Sequence, residues 1–155
     1  MGDEEMQALQ SLRTLLESLP ARLEALPAEA VDFRPPESWS VKEELGHLLD
    51  SAANNHQRVV RAQLEDSPAM PGYDGEKWVS LHAYQVRDWH ELIGTWEALN
   101  RQLLATAEAI PDSAWSRTLT IGESAPLTLQ FVLEDYIHHM RDHLRHMKVP
   151  IDDLE

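Results

Sequence analysis

The sequence predicts an all-α protein, a four-helix bundle. Four segments carry apolar residues at steps of three and four, the spacing of one helix face. Connectors marked by proline and glycine separate them, and no stretch of four or more residues alternates convincingly as a half-buried strand would. Four amphipathic helices bury their apolar faces most simply against one another. At this length we expect one four-helix-bundle domain over residues 1–155.

The first two helices have recognisable boundaries. The first carries an apolar stripe from Met6 to Leu23, and Pro20 should kink it or restart it as a short second piece. Residues 26–39, interrupted by prolines, are predicted to form a connector. The second helix begins at Ser40, because the segment SVKE has the form of a capping box, and it should end near Asp66.

Two irregular segments precede the last two helices. After the loop SPAMPGYDG, we predict a third helix from about Trp78 to Ile110, whose stripe places Trp78, Trp89 and Trp96 in the core. Leu119 and Ile121 should sit in a short extended piece. The fourth helix begins near residues 126–128, and Pro150 ends it. On length alone, the loop after the second helix allows either a hairpin or a crossover to the far end of the bundle.

Composition narrows the classes of function. A formal net charge of −14 repels phosphate backbones, so we do not expect nucleic-acid binding. The chain has no cysteine, hence no thiolate ligand and no disulfide, which fits a cytoplasmic location. It shows no signal peptide and no apolar run of membrane-spanning length, so no membrane partner is expected. These observations leave a homodimer open.

Histidines concentrate on the fourth helix, in the segment DYIHHMRDHLRH. His139 and His143 lie four residues apart on one edge of the apolar face, so both imidazoles can bind one metal ion. His138 falls in the polar half of the helix, and His146 continues the edge that carries the pair. Two solvated or hydrogen-bonded histidines at the boundary of the core would give the same pattern.

A metal centre requires a third ligand from another helix, and helix periodicity leaves four histidines open. They are His47, His56, His82 and His90. His56 lies in the apolar stripe of the second helix, whereas His47 lies on its polar face, beside Asp50, Asn54 and Arg58. His47 therefore qualifies only if that face lines a cleft. The H-E-x-x-H pattern of zinc proteases is absent, and a di-iron carboxylate site lacks a well-placed second Glu-x-x-His motif.

Three motifs resemble those of the DinB-like superfamily, including its YfiT-type members. They are FRPPESWSVKEELGHLLD at residues 33–50, Tyr73-Asp74 followed by Trp78, and YIHHMRDHLRH at residues 136–146. The resemblance spans nearly the whole chain, from about residue 6 to residue 147. The resemblance implies a crossover between the second and third helices of the bundle. It also implies a divalent metal, zinc or nickel, held by His47, His139 and His143.

The resemblance also bears on activity. Some members of this superfamily transfer a low-molecular-weight thiol to an electrophile, and others resemble maleylpyruvate isomerases or amidohydrolases. The resemblance therefore implies a metal-dependent transferase or hydrolase that acts on a small-molecule substrate. The alternative is a non-catalytic metal-binding or structural module, favoured if His56 closed the coordination shell. Three imidazoles leave a position open, where the metal would lower the pKa of water or a thiol. Asp50, one turn after His47, is a candidate to orient a ligand or accept a proton.

Overall fold

The computed structural model describes residues 1–154 and contains six helices and three short strands in that range. The helices are α1 (Asp3–Glu24), α2 (Ala28–Asp32), α3 (Val41–Leu64), α4 (Gly75–His82), α5 (Trp89–Glu108) and α6 (Leu129–His146). The strands are β1 (Ala69–Met70), β2 (Thr118–Ile121) and β3 (Leu127–Thr128). They form one small sheet in which β1 is parallel and β3 antiparallel to the central β2. The long helices α1, α3, α5 and α6 form the bundle, as predicted.

The helix directions define the topology of the bundle. Both α1 and α3 pack against α5 and α6. Three side-chain contacts show the directions. Glu4 contacts Gln130, so the starts of α1 and α6 lie together, and Trp89 contacts Leu23, so the start of α5 lies at the end of α1. Glu44 contacts His143, so the start of α3 lies near the end of α6. Consequently α3 and α5 run parallel to each other and antiparallel to α1 and α6. The chain must therefore cross the length of the bundle between α3 and α5.

The crossover, residues 65–88, corrects the prediction of a continuous helix from Trp78 to Ile110. The structure divides that segment into α4 and α5, joined by a short 3-10 turn. Ala83 ends α4 in the left-handed region, with φ of 49°. The Asp88 side chain then accepts a hydrogen bond from the backbone N–H of Glu91 and starts α5. The connection is thus long enough to cross the bundle easily.

Other boundaries follow the local signals in part. Ser40 and Glu43 form both hydrogen bonds of the predicted capping box. The expected extended piece is confirmed as β2, whereas the connector before α3 is not wholly irregular, since it contains α2. The helix α1 continues through Pro20, so of the two predicted alternatives, a kink or a restart, the restart is wrong. Leu19 and Leu23 are fully buried on either side of the proline, and this packing stabilises the continuous helix.

The core lies between the four long helices. Of the three tryptophans predicted to lie there, Trp96 is fully buried, whereas Trp78 and Trp89 are only partly buried. Trp78 belongs to α4 and packs at a tilt against the rings of Tyr73 and His82 in the crossover. No helix within residues 1–154 combines the length and the hydropathy needed to cross a membrane.

Candidate metal centre

Three histidines from two helices converge near one end of the bundle. His47 comes from the first half of α3, and His139 and His143 come from the second half of α6. The Nε2 atom of His139 lies 3.2 Å from Nε2 of His47 and 3.1 Å from Nε2 of His143. Each residue offers one ligand nitrogen, and these nitrogens lie within 4.8 Å of one another. The structure thus brings together the three residues that were predicted to bind a metal.

The spacing of these nitrogens fits a divalent cation. Two nitrogens bound to zinc at ~2.0–2.1 Å are ~3.3 Å apart at a tetrahedral angle and ~2.9 Å apart at a right angle. The two separations of 3.1 and 3.2 Å fall between these limits. Unprotonated imidazole nitrogens at this distance would oppose their lone pairs, and a shared cation relieves that opposition. The donor set therefore suits a divalent ion.

Burial keeps the imidazoles in the form that binds metal. His47 is 7% exposed, and burial, together with His143 and His139, lowers its pKa to about 4. Burial also lowers the pKa of His139, with a further contribution from His143. Only a neutral imidazole offers a lone pair to a metal ion. At neutral pH, His47 and His139 are therefore ready to act as ligands.

Glu44 orients His143. Its Oε2 atom lies 2.5 Å from His143 Nδ1, and about one sixth of each side chain is exposed, 15% and 16% respectively. When the Nδ1–H group donates to the carboxylate, the lone pair on Nε2 points toward the other two histidines. Sequence reasoning missed this role of Glu44. The available signal is the Glu-x-x-His spacing of Glu44 to His47, which by itself is half of a di-iron motif.

Trp39 and the first turn of α4 cover His47. The ring centroid of Trp39 lies 4.8 Å from that of His47 and 6.2 Å from that of His143. A Cβ atom on Gly75 would lie 3.1 Å from His47 Cε1 and 3.3 Å from Nδ1, so the backbone there closely approaches the ring. The crossover therefore explains why the polar face of α3 lines a cleft rather than solvent.

Asp50 lies one turn beyond His47 in a polar cluster. Its Oδ1 atom accepts a hydrogen bond from the Tyr84 hydroxyl at 2.6 Å and lies 3.1 Å from His82 Nδ1. Its Oδ2 atom is buried and has no hydrogen-bond partner among residues 1–154. Burial raises the pKa of Asp50, while Tyr84 and His82 oppose this shift. Gly46 permits the arrangement, because a Cβ atom there would overlap the Tyr84 ring. The catalytic role of Asp50 stays a prediction.

The other histidines lie outside the three-histidine group. His56, which helix periodicity favoured, lies 3.4 Å from the Thr106 hydroxyl on α5. His90 and His138 are exposed, as predicted for His138. His146 is also exposed and packs edge-on against His143, with ring centroids 5.5 Å apart. With Glu44 and His143 it forms a second group close enough to hold an ion, although this group shares His143 with the first.

A groove of about 740 Å³ lies between α1 and α6. Ser11, Glu134 and Arg141 contribute to its wall, which contains none of the three converging histidines. The candidate metal centre instead faces the cleft between α3 and α6. Volume alone therefore does not locate the centre, which is defined by the chemistry of its side chains.

Sequence comparison agrees with the geometry. Residues 11–147 match the family model of the DinB superfamily. The chain belongs to the DinB superfamily. Among its relatives, YfiT of Bacillus subtilis is 27% identical over 146 residues, covering 86% of this chain and 78% of that protein. A relative from Halalkalibacterium halodurans is 25% identical, covering 84% and 79%. One from Oceanobacillus iheyensis is 27% identical, covering 70% of this chain and 63% of its own length. All three are named "putative metal-dependent hydrolase".

Structural comparison confirms the fold. The solved structure of Bacillus subtilis YfiT superimposes with a TM-score of 0.85 and 22% sequence identity, covering 96% of this chain and 86% of that chain. It is described as a "probable metal-dependent hydrolase with an unusual four-helix bundle topology". The parallel α3 and α5 of the present chain are the corresponding departure from a simple up-and-down bundle, in which helices adjacent in the chain are antiparallel.

Proposed function

We propose that the protein is a metal-dependent enzyme that activates a small nucleophile at His47, His139 and His143. The observation that carries this proposal is the convergence of the three Nε2 atoms, with two separations of 3.1 and 3.2 Å. A divalent ion bound there, zinc or nickel, supplies Lewis acidity that lowers the pKa of a water or thiol nucleophile. The substrate is a small electrophile attacked by that nucleophile.

The number of protein ligands supports an enzyme over a structural metal module. Structural zinc sites usually have four protein ligands, whereas catalytic sites have three and keep one position for water or substrate. Over residues 1–154, the group around His47 has three members. His56, which would have closed the shell, faces Thr106, and Glu44 is engaged with His143 Nδ1. A fourth position therefore remains for a nucleophile.

The surrounding residues have separate roles in this proposal. Glu44 holds the proton of His143 on Nδ1, and Trp39 excludes water from one side of His47. The free Oδ2 of Asp50 accepts the proton that the nucleophile releases. His82, whose side chain is 44% exposed, lies beside the other carboxylate oxygen, Oδ1, and links Asp50 to the solvent-exposed surface. Asp50→Asn should then slow turnover while metal binding is retained.

Hydrolysis and thiol transfer are the two reactions to compare. Hydrolysis comes first, because the relatives that were compared carry the name of hydrolases. Thiol transfer is the second candidate, because the chain contains no cysteine that could compete with a substrate thiol for the metal. The mass of the product distinguishes the two reactions. Hydrolysis adds the elements of water to the substrate, whereas thiol transfer attaches the sulfur of the thiol to it.

Metal titration of the purified protein tests the centre itself. We expect one equivalent of zinc or nickel to bind, and His47→Ala or His139→Ala to lose it. His56→Ala and His138→Ala are matched controls that should keep it. Failure of the wild-type protein to bind either ion, or loss of binding in His56→Ala but not in His47→Ala, would contradict the proposal. A panel of esters, amides and electrophiles, with and without added thiols, then tests the reaction.

A further inference from the structure

Arg58 is a buried cation on the same face of α3 as His47. It lies three helical turns further on, ~16 Å along the helix axis, and it is 9% exposed. Among residues 1–154, its one hydrogen bond runs to Asn55 Oδ1 at 3.3 Å, and its Cζ atom lies 5.8 Å from the centre of the Tyr73 ring. In the described part of the chain, no carboxylate oxygen comes within 4.0 Å of its guanidinium. Within that part of the chain, the buried charge therefore has no ion-pair partner.

A buried guanidinium in this state has unused binding capacity. It presents five N–H donors in a planar fork, and the structure pairs it with one amide oxygen. Buried charges in proteins are ordinarily paired, because removal from water is unfavourable without a compensating anion. The Tyr73 ring holds the guanidinium in place and cannot neutralise it. An anion bound to its remaining N–H groups would supply the missing partner.

Two residues connect Arg58 to the metal centre. Tyr73 contacts the side chain of Ser51, one turn after His47, and presents its ring to Arg58. Asp135 is exposed on α6 one turn before His139, and its charge acts on both His139 and Arg58. Arg58 therefore lies along the same cleft between α3 and α6 as the three histidines.

We propose that Arg58, positioned by Tyr73, binds a carboxylate of the substrate while the reacting group of the same molecule lies at the three histidines. The inference rests on the proposed function and specifies the substrate class, a small electrophile that carries a carboxylate at the other end of a short chain. Arginine binds a carboxylate through two parallel N–H···O bonds. A monoanion suits the site better than a phosphate dianion, because the charge of Asp135 acts on Arg58, that of Asp50 acts on Tyr73, and the chain carries a net charge of −14.

Hydroxamates of increasing chain length test the proposal, because the hydroxamate group binds zinc. Each probe carries a terminal carboxylate or, as its neutral match, a terminal carboxamide, and affinity for the zinc-loaded protein is measured by calorimetry. At the best length, we expect the carboxylate to bind ~10-fold or more tightly than the amide. Arg58→Met should abolish this preference without changing the affinity for acetohydroxamate, and Arg58→Lys should keep part of it. Arg61→Met, which removes an exposed arginine paired with Glu65 on the same helix, is the control.

The outcomes separate this inference from the proposed function. Equal affinity for carboxylate and amide probes at every length overturns it, as does a preference that survives Arg58→Met. If that variant does not fold, the wild-type comparison and Arg58→Lys decide. If the wild-type protein bound neither zinc nor acetohydroxamate, that result would instead refute the proposed function. The carboxylate site is then judged on metal-free protein, where hexanoate, but not hexanamide, should shift the NMR signal of the Arg58 Nε–H group; no shift overturns the inference.

Discussion

Replacing Glu44 with glutamine should weaken metal binding while the fold is retained. Glu44 Oε2 lies 2.5 Å from His143 Nδ1, and both side chains are largely removed from water. The interaction is therefore poorly screened, and its loss leaves Nδ1 beside a neutral amide that can present either an oxygen or an N–H group. Loss of such a partner usually lowers metal affinity ~10–100-fold, which corresponds to ~1.4–2.7 kcal/mol.

Competition with a chromophoric chelator measures the zinc affinity of this variant, and thermal unfolding with and without zinc provides a second reading. We expect Glu44→Gln to show a weaker affinity and a smaller rise in Tm on adding zinc, with little change in the Tm of the metal-free protein. Glu97→Gln is the matched control, because Glu97 pairs with Arg101 on the exposed face of α5. An affinity for Glu44→Gln within about twofold of the wild-type value would refute the orienting role.

Three further predictions concern stability. Metal-free protein should lose stability as pH falls from ~6.5 toward 4, because burial lowers the folded-state pKa of His47 to about 4 and the unfolded chain takes up the proton first. Denaturant titrations should assign roughly 2 kcal/mol of this loss to His47, after allowance for solvent screening, and His47→Ala should lack that share. Gly46→Ala should lower the free energy of unfolding by ~2–4 kcal/mol, because its Cβ atom would displace Tyr84. Gly94→Ala is the control and should not destabilise the protein, because its Cβ atom meets open space. Equal effects of the two substitutions in urea-induced unfolding would contradict this prediction. Tyr136→Phe should cost ~1–3 kcal/mol by leaving the buried Asn100 Oδ1 without its donor, and a changed zinc affinity in this variant would argue against a purely structural role.

Helix periodicity predicted the bundle well because each long helix buries one continuous face. It failed at the break between α4 and α5. Trp78 and Leu81 continue the apolar spacing of α5, yet Leu81 is 85% exposed and Trp78 packs against the crossover. The break occurs at Ala83, in a left-handed conformation that alanine rarely adopts and that local sequence does not signal. Tertiary contacts of the crossover, such as Tyr84 with Asp50, therefore override the helical pattern.

The residues of the candidate site could likewise be predicted only in part. His139 and His143 could be paired from their spacing, because residues four apart are neighbours on any helix. His47 could not be chosen over His56 by periodicity, since a polar helix face is ordinarily solvated. The resemblance of the WSVKEELGHLLD segment supplied that choice. The fold then accounts for it, because Trp39 and Gly75 cover His47 while His56 faces α5.

The crossover also affects how the chain folds. In this bundle α1 and α3 lie on one diagonal and α5 and α6 on the other, so successive long helices cannot form antiparallel hairpins. Native contacts consequently join distant segments, such as His47 and His139, which are 92 residues apart. Such a contact order predicts slower folding than that of an up-and-down bundle of equal length. During synthesis, α3 is made well before α6, which supplies two of the three histidines. The histidine centre should therefore assemble late, and metal affinity should be a measure of completed folding.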